Sequence, residues 1–88
     1  MKYRKKPVEI DAIIFSRNNW EEIVEFTNGN ARSMITPRCP DGKSTCVVGT
    51  LEGPHTATEG DFIIKGIKGE FYPCKPDIFA MTYEQVEV

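Results

Sequence analysis

Apolar and polar positions alternate at the start of the chain. Val8, Ile10, Ala12 and Ile14 share one face, while Glu9 and Asp11 lie on the other. A period of two is that of a half-buried strand. Ile13 and Phe15 make its far end apolar on both faces, which predicts a strand over residues 8–15 that runs into the centre of a sheet or under a helix. The period then changes. Trp20, Ile23, Val24 and Thr27, with Phe26 beside them, form a stripe of helical spacing. A helix over residues 18–28 is expected, with Asn18 as cap, Glu21 closing a capping box, Glu22 in the first turn and Gly29 as the stop. The stripe accounts for Trp20 as a core anchor.

From residue 31 onward the pattern is mostly that of strands. Residues 31–36 and 45–51 read as strands separated by a loop, Pro37 to Lys43, in which Asp41-Gly42 is a turn pair. Glu52-Gly53-Pro54 turns the chain into a short strand over residues 55–58, and Glu59-Gly60-Asp61 turns it again. The strongest signal follows: two apolar and aromatic runs, Phe62 to Lys65 and Glu70 to Cys74, flank Gly66-Ile67-Lys68-Gly69. Glycines tolerate positive φ, so this is a β-hairpin. Pro73 has no N–H for a ladder and belongs at a strand end or on a sheet edge. Pro76 suits the first turn of a short helix over residues 76–81 with Ile78, Phe79 and Met81 facing inward. A weak final strand is expected over residues 82–88.

These elements predict one α+β domain: a small twisted antiparallel β-sheet or open barrel with one main helix packed on it. Its 88 residues are 40% hydrophobic and 27% charged, the balance of a globular rather than a disordered chain. A domain this small has a thin core, so self-association into a homo-oligomer, a tetramer being one form, is an economical way to cover apolar surface. The apolar runs are too short for a membrane span or a signal-peptide core, which points to a cytoplasmic protein. The net charge of −2 conceals a basic start: Lys2, Arg4, Lys5 and Lys6 are four of the eleven Lys and Arg residues.

Candidate chemistry is sparse. His55 is the single histidine, and a nucleophilic pair would need it beside Cys39, Cys46 or Cys74. The same four residues include zinc-ligand types but lack the close Cys pairs of structural zinc sites, so no metal or cofactor is expected. Each carboxylate has a sufficient role on a strand face or in a turn. Gly66-Ile67-Lys68-Gly69 has the letters of the KH-domain backbone clamp, but its neighbours are strands rather than helices. Long nucleic acid fits an acidic chain poorly. Basic and aromatic residues do combine, at Tyr3, Arg4, Lys5 and Lys6 and again at Phe71, Tyr72, Lys75 and Tyr83. Cations neutralise phosphates and rings stack on bases. A small anionic nucleotide is therefore the expected ligand, with Arg4, Lys5, Lys6 and Lys75 on its phosphates and Tyr3 or Tyr72 on a base.

Two segments resemble a known family. The opening Met-Lys-Tyr-Arg-Lys-Lys-Pro-Val and the run from Gly60 to Phe79, with its Gly-Glu-Phe-Tyr-Pro-Cys-Lys-Pro string, are similar to a widespread family of small proteins of tailed phages and prophages. The likeness spans nearly the whole length around a variable middle. It departs at Ile14-Phe15, where the family has Gln-Trp. The resemblance implies a protein of the bacterial host cytoplasm, similar in kind to oligomeric sponges that sequester the cyclic dinucleotides of CBASS immunity, such as cGAMP. Two alternatives stay open: an interaction module that inhibits a host protein, and a nucleotide-degrading enzyme using His55.

Overall fold

The computed structural model describes residues 1–4, 6–34 and 44–86, without the side chains of Ser33 and Met34. Lys5, Cys39, the Asp41-Gly42 turn and residues 87–88 lie outside the described residues. The element order is β1 (Asp11–Ile14), α1 (Trp20–Phe26), β2 (Ala31–Met34), β3 (Thr45–Thr50), β4 (Gly53–Thr58), β5 (Phe62–Lys65), β6 (Phe71–Cys74) and α2 (Pro76–Thr82). The α+β class holds. So does the antiparallel pairing, with no closed barrel: the described strands form two three-stranded antiparallel sheets. The hairpin sheet has the order β1-β5-β6 and the meander sheet the order β2-β3-β4.

The hairpin forms as its glycines predict. Gly66 N–H donates to the Glu70 carbonyl at 2.7 Å, Gly69 N–H donates to that of Gly66 at 3.0 Å, and Gly69 has φ +78°. This is the bonding of a three-residue loop closed by a left-handed glycine. Pro73 lies opposite Ile63 on β6, an outer strand, where its missing N–H faces the free edge. A second glycine is equally placed. Phe15 faces both Gly60, whose N–H reaches its carbonyl at 2.8 Å, and Asp61, whose carbonyl takes its N–H at 2.9 Å. Two residues against one make a β-bulge, and Gly60 holds φ +94° there.

β1 departs from expectation in position and in phase. It is an outer strand, with β5 in the centre. Ile13 and Phe15 face the core, whereas Ala12 and Ile14 are exposed on the opposite face. The register explains the phase. Ile13 pairs with Ile63, whose side chain is fully buried, so the odd positions must look inward.

The core lies between the sheets and α1. It contains Phe15, Ile23, Ala31, Cys46, Val48, Ala57, Ile63 and Phe71, with Ile13, Trp20 and Phe26 packed against it. Phe15 meets Trp20 and Phe26 meets Phe71 in edge-to-face contacts. Thr27, buried in the stripe, is satisfied by donating its hydroxyl to the Ile23 carbonyl at 2.8 Å. The predicted capping box is absent: Asn19, not Asn18, precedes the helix. Its side chain turns back to accept Ser16 N–H at 2.8 Å and donate to the Ile14 carbonyl at 2.6 Å. It ties strand to helix instead of capping. At the other end Asn28, at φ +53°, takes the left-handed position assigned to Gly29. Bonds from Asn28 N–H to Glu25 O and from Gly29 N–H to Val24 O complete a Schellman motif.

The other face of the hairpin sheet carries a separate aromatic layer. Phe79 of α2 stacks on Phe62 with ring centroids 3.7 Å apart, Tyr83 packs beside Phe79, and Ile64 is fully buried. Of the three α2 residues expected inside, only Phe79 is; Ile78 and Met81 are exposed. Residues 83–86 form no strand, because Thr82 still belongs to the helix and the Tyr83 hydroxyl lies 3.3 Å from that of Tyr72.

Candidate functional site

The ladder register defines two ends of the hairpin sheet. At one end Asp11 pairs with Lys65, next to the Gly66–Gly69 loop, and residues 1–10 leave the sheet there. Lys65 of β5 and Lys68 of the loop lie at this end, and the arm that continues from it carries Lys2, Arg4 and Lys6; all five are exposed. Among the described residues none of the five is ion-paired. Glu9, Asp11 and Glu70 are the nearby carboxylates. Glu70 is committed to the loop, accepting Lys68 N–H at 3.0 Å and filling the space beside Gly66. Tyr3 is 85% exposed beside these cations.

The opposite end is built differently. Asp61, nearly buried, accepts Thr58 N–H at 2.9 Å and the Lys75 ammonium at 2.9 and 3.2 Å. Arg17 lies 3.4 Å from Glu59 alongside. Lys75 is thus engaged, about four strand residues or roughly 13 Å from the cation-rich end. Tyr72 lies between the two ends, on the aromatic face, half-buried and bonded to Tyr83. Burial first, and that bond second, raise its hydroxyl pKa. Tyr3, Arg4 and Lys6 are near neighbours along the arm, while Lys75 is bound to Asp61 at the other end of the sheet and Tyr72 to Tyr83. Lys65 and Lys68, read in the sequence as strand end and turn, are the additions.

Cys46 is buried on β3 and Cys74 half-buried at the end of β6. Burial, and then the negative charge of Asp61, push the Cys46 thiol up to about 11, so it stays protonated and a poor nucleophile. His55 is exposed on β4. Among the described residues, no group of three or more His, Cys, Asp or Glu could hold a metal ion, and no helix is long and apolar enough to cross a membrane. A shallow cleft of about 350 Å³ opens on the meander sheet beside Val47 and Gly49, with Arg32 its one charged wall residue.

Glu59 carries a pH dependence. Desolvation works to raise its pKa, but hydrogen bonds from Ser44 and the charge of Arg17 outweigh it and hold the carboxyl below its ordinary value. A depressed folded-state pKa contributes stability above the unfolded value, and that contribution disappears as pH falls through the folded one. Wild type should therefore lose its advantage over Glu59→Gln as pH falls below about 4. Urea midpoints of the two proteins across that range check this, and a constant difference would refute it.

Comparison with family models, curated proteins and solved structures gives no significant match to this chain.

Proposed function

We propose that the protein is a non-enzymatic binder that sequesters a small phosphate-bearing nucleotide at the cation-rich end of its hairpin sheet. The observation that carries this reading is five exposed cations without ion-pair partners among the described residues, two at this end of the sheet and three on the arm that leaves it, with an exposed tyrosine ring on the same arm. Arg4 and Lys6 hold phosphate from the arm, Lys65 and Lys68 from the hairpin, and Tyr3 stacks on a base. The resemblance to small phage proteins supports a cyclic dinucleotide of bacterial immunity as the ligand and self-association as the working form.

Calorimetry with a cyclic dinucleotide, followed by recovery of the ligand from heat-denatured protein, tests the reading. Ligand at 100 times its dissociation constant should add about 2.7 kcal/mol of stability and be returned intact. Arg4→Ala combined with Lys68→Ala should weaken binding by about 10-fold or more, equivalent to about 1.4 kcal/mol, and leave the unfolding midpoint of the free protein unchanged. Unchanged affinity rejects the phosphate assignment. Degraded ligand rejects sequestration in favour of catalysis.

A further inference from the structure

The loop that closes the hairpin carries an aliphatic side chain at its apex. Gly69 N–H donates to the Gly66 carbonyl, which makes Ile67 and Lys68 the two central residues of a β-turn. Ile67 is 71% exposed. Turns select Gly, Pro, Asn, Asp and Ser for their backbone needs, so nothing in the local fold calls for a β-branched aliphatic residue here. One exposed Ile is ordinary by itself. Its company is not. Lys68 follows it and Lys65 stands two residues before it, both exposed and neither ion-paired among the described residues. The arm that leaves the same end of the sheet repeats the mixture, since exposed Met1 and Tyr3 alternate with exposed Lys2 and Arg4.

We infer that this end docks on the surface of an anionic lipid bilayer, with Lys65, Lys68 and the arm cations on headgroup phosphates and Ile67 inserted at the boundary with the acyl chains. Two observations select a bilayer. Unpaired cations call for an anionic surface, and each Lys or Arg near one adds to binding. The apolar apex calls for an apolar phase behind that surface, which a bilayer has and a nucleic-acid backbone lacks. Tyr3 suits the same boundary, where rings with a polar end collect. Charge also sets the orientation. The sequence holds 13 Asp and Glu against 11 Lys and Arg, so a molecule with five of its cations at one end or on the arm leaving it is acidic elsewhere, and an anionic surface repels it there. The carboxylates near the loop leave the apex basic. Glu70 is folded back onto the loop, accepting Lys68 N–H at 3.0 Å; Asp11 is level with Lys65, behind the apex; and Glu9 belongs to the arm, where cations outnumber it. The docking goes beyond nucleotide capture and requires no nucleotide. A soluble nucleotide meets the same cations but buries no aliphatic tip, so Ile67 separates the two.

Co-sedimentation of the full chain with vesicles of phosphatidylglycerol and phosphatidylcholine in equal parts tests this. The wild type should bind them at low ionic strength, bind vesicles of phosphatidylcholine alone about 10-fold or more weakly, and dissociate as added salt shortens the screening length. Lys65→Ser combined with Lys68→Ser should weaken binding to the anionic vesicles by about 10-fold, and Ile67→Ser by about 5-fold. All three side chains are exposed, so the unfolding midpoint of the free protein should not move, and Ile67→Ser should leave the affinity for a cyclic dinucleotide as it was. Failure to bind the anionic vesicles overturns the proposal, as does equal binding to both compositions. Vesicle affinity unchanged by Ile67→Ser overturns the insertion. A DNA duplex bound as tightly as the anionic vesicles, with the same indifference to Ile67, assigns this end to nucleic acid instead.

Discussion

Replacing Ile63 with Ala is expected to cost about 3–4 kcal/mol, the largest loss of any single substitution considered for this chain. Ile63 is fully buried on the central strand of the hairpin sheet, paired with Ile13 on one side and Pro73 on the other. It stands in the core cluster beside residues from both sheets and α1. Neighbours drawn from three elements cannot all collapse onto the vacated volume, so the cavity term adds to the lost transfer energy. A domain of this size has a stability near the low end of about 5–15 kcal/mol. The variant should therefore be partly unfolded at 37 °C. Denaturant midpoints at unchanged slope measure the loss, and a value under about 1 kcal/mol would show that the two sheets close over the gap.

Asp61→Ala and Lys75→Met are each expected to cost about 2–3 kcal/mol. The two losses differ in cause because the partners' surroundings differ. The Lys75 side chain is 57% exposed and is rehydrated when Asp61 is removed, whereas that of Asp61 is 5% exposed and is left as a buried carboxylate without its ion-pair partner when Lys75 is removed. Asp61 also accepts Thr58 N–H, while its own N–H donates to the Thr58 carbonyl. The carboxylate thus closes the turn that carries the Gly60 bulge, and its removal strands a backbone donor. Asp61→Asn keeps an acceptor for that donor and should recover about half of the loss. It should also lower the Cys46 pKa, since the Asp61 charge helps to raise it. A loss under about 1 kcal/mol for Lys75→Met, measured by urea unfolding, would mean that the turn bond rather than the ion pair holds this corner.

Local chemistry was the legible part of the sequence. Gly69 marks a hairpin because positive φ is a property of single residues, and the α1 stripe is visible because Ile23 and Thr27 recur at helical spacing. What depended on a second layer was hidden. The hairpin sheet is apolar on both faces, so alternation along β1 could not tell whether Ile13 or Ile14 looks into the core; the pairing of Ile13 with Ile63 decides it. Ile78, Phe79 and Met81 offered three apolar candidates for one contact, and the stack on Phe62 selects Phe79. The helix starts one residue later than the Asn18 cap implied, because the Asn19 side chain is held by Ser16 N–H and the Ile14 carbonyl. The candidate site divides in the same way. Tyr3, Arg4 and Lys6 stand out by clustering along the chain. Lys65 and Lys68 join them only through a register linking distant segments, and Lys75 is withdrawn by Asp61, which read as an ordinary turn residue.

That register also sets an order of assembly. β5 and β6 are joined by a short loop, and β2, β3 and β4 follow one another in sequence, but β1 pairs with β5 across about 50 residues of chain. Closing so long a loop costs entropy that no local contact repays in advance. The hairpin and the meander can each form early, and β1 docks after them, carrying the basic arm into place. The charged end of the molecule is then a late product of folding, complete only when β1 has found β5 across the intervening chain.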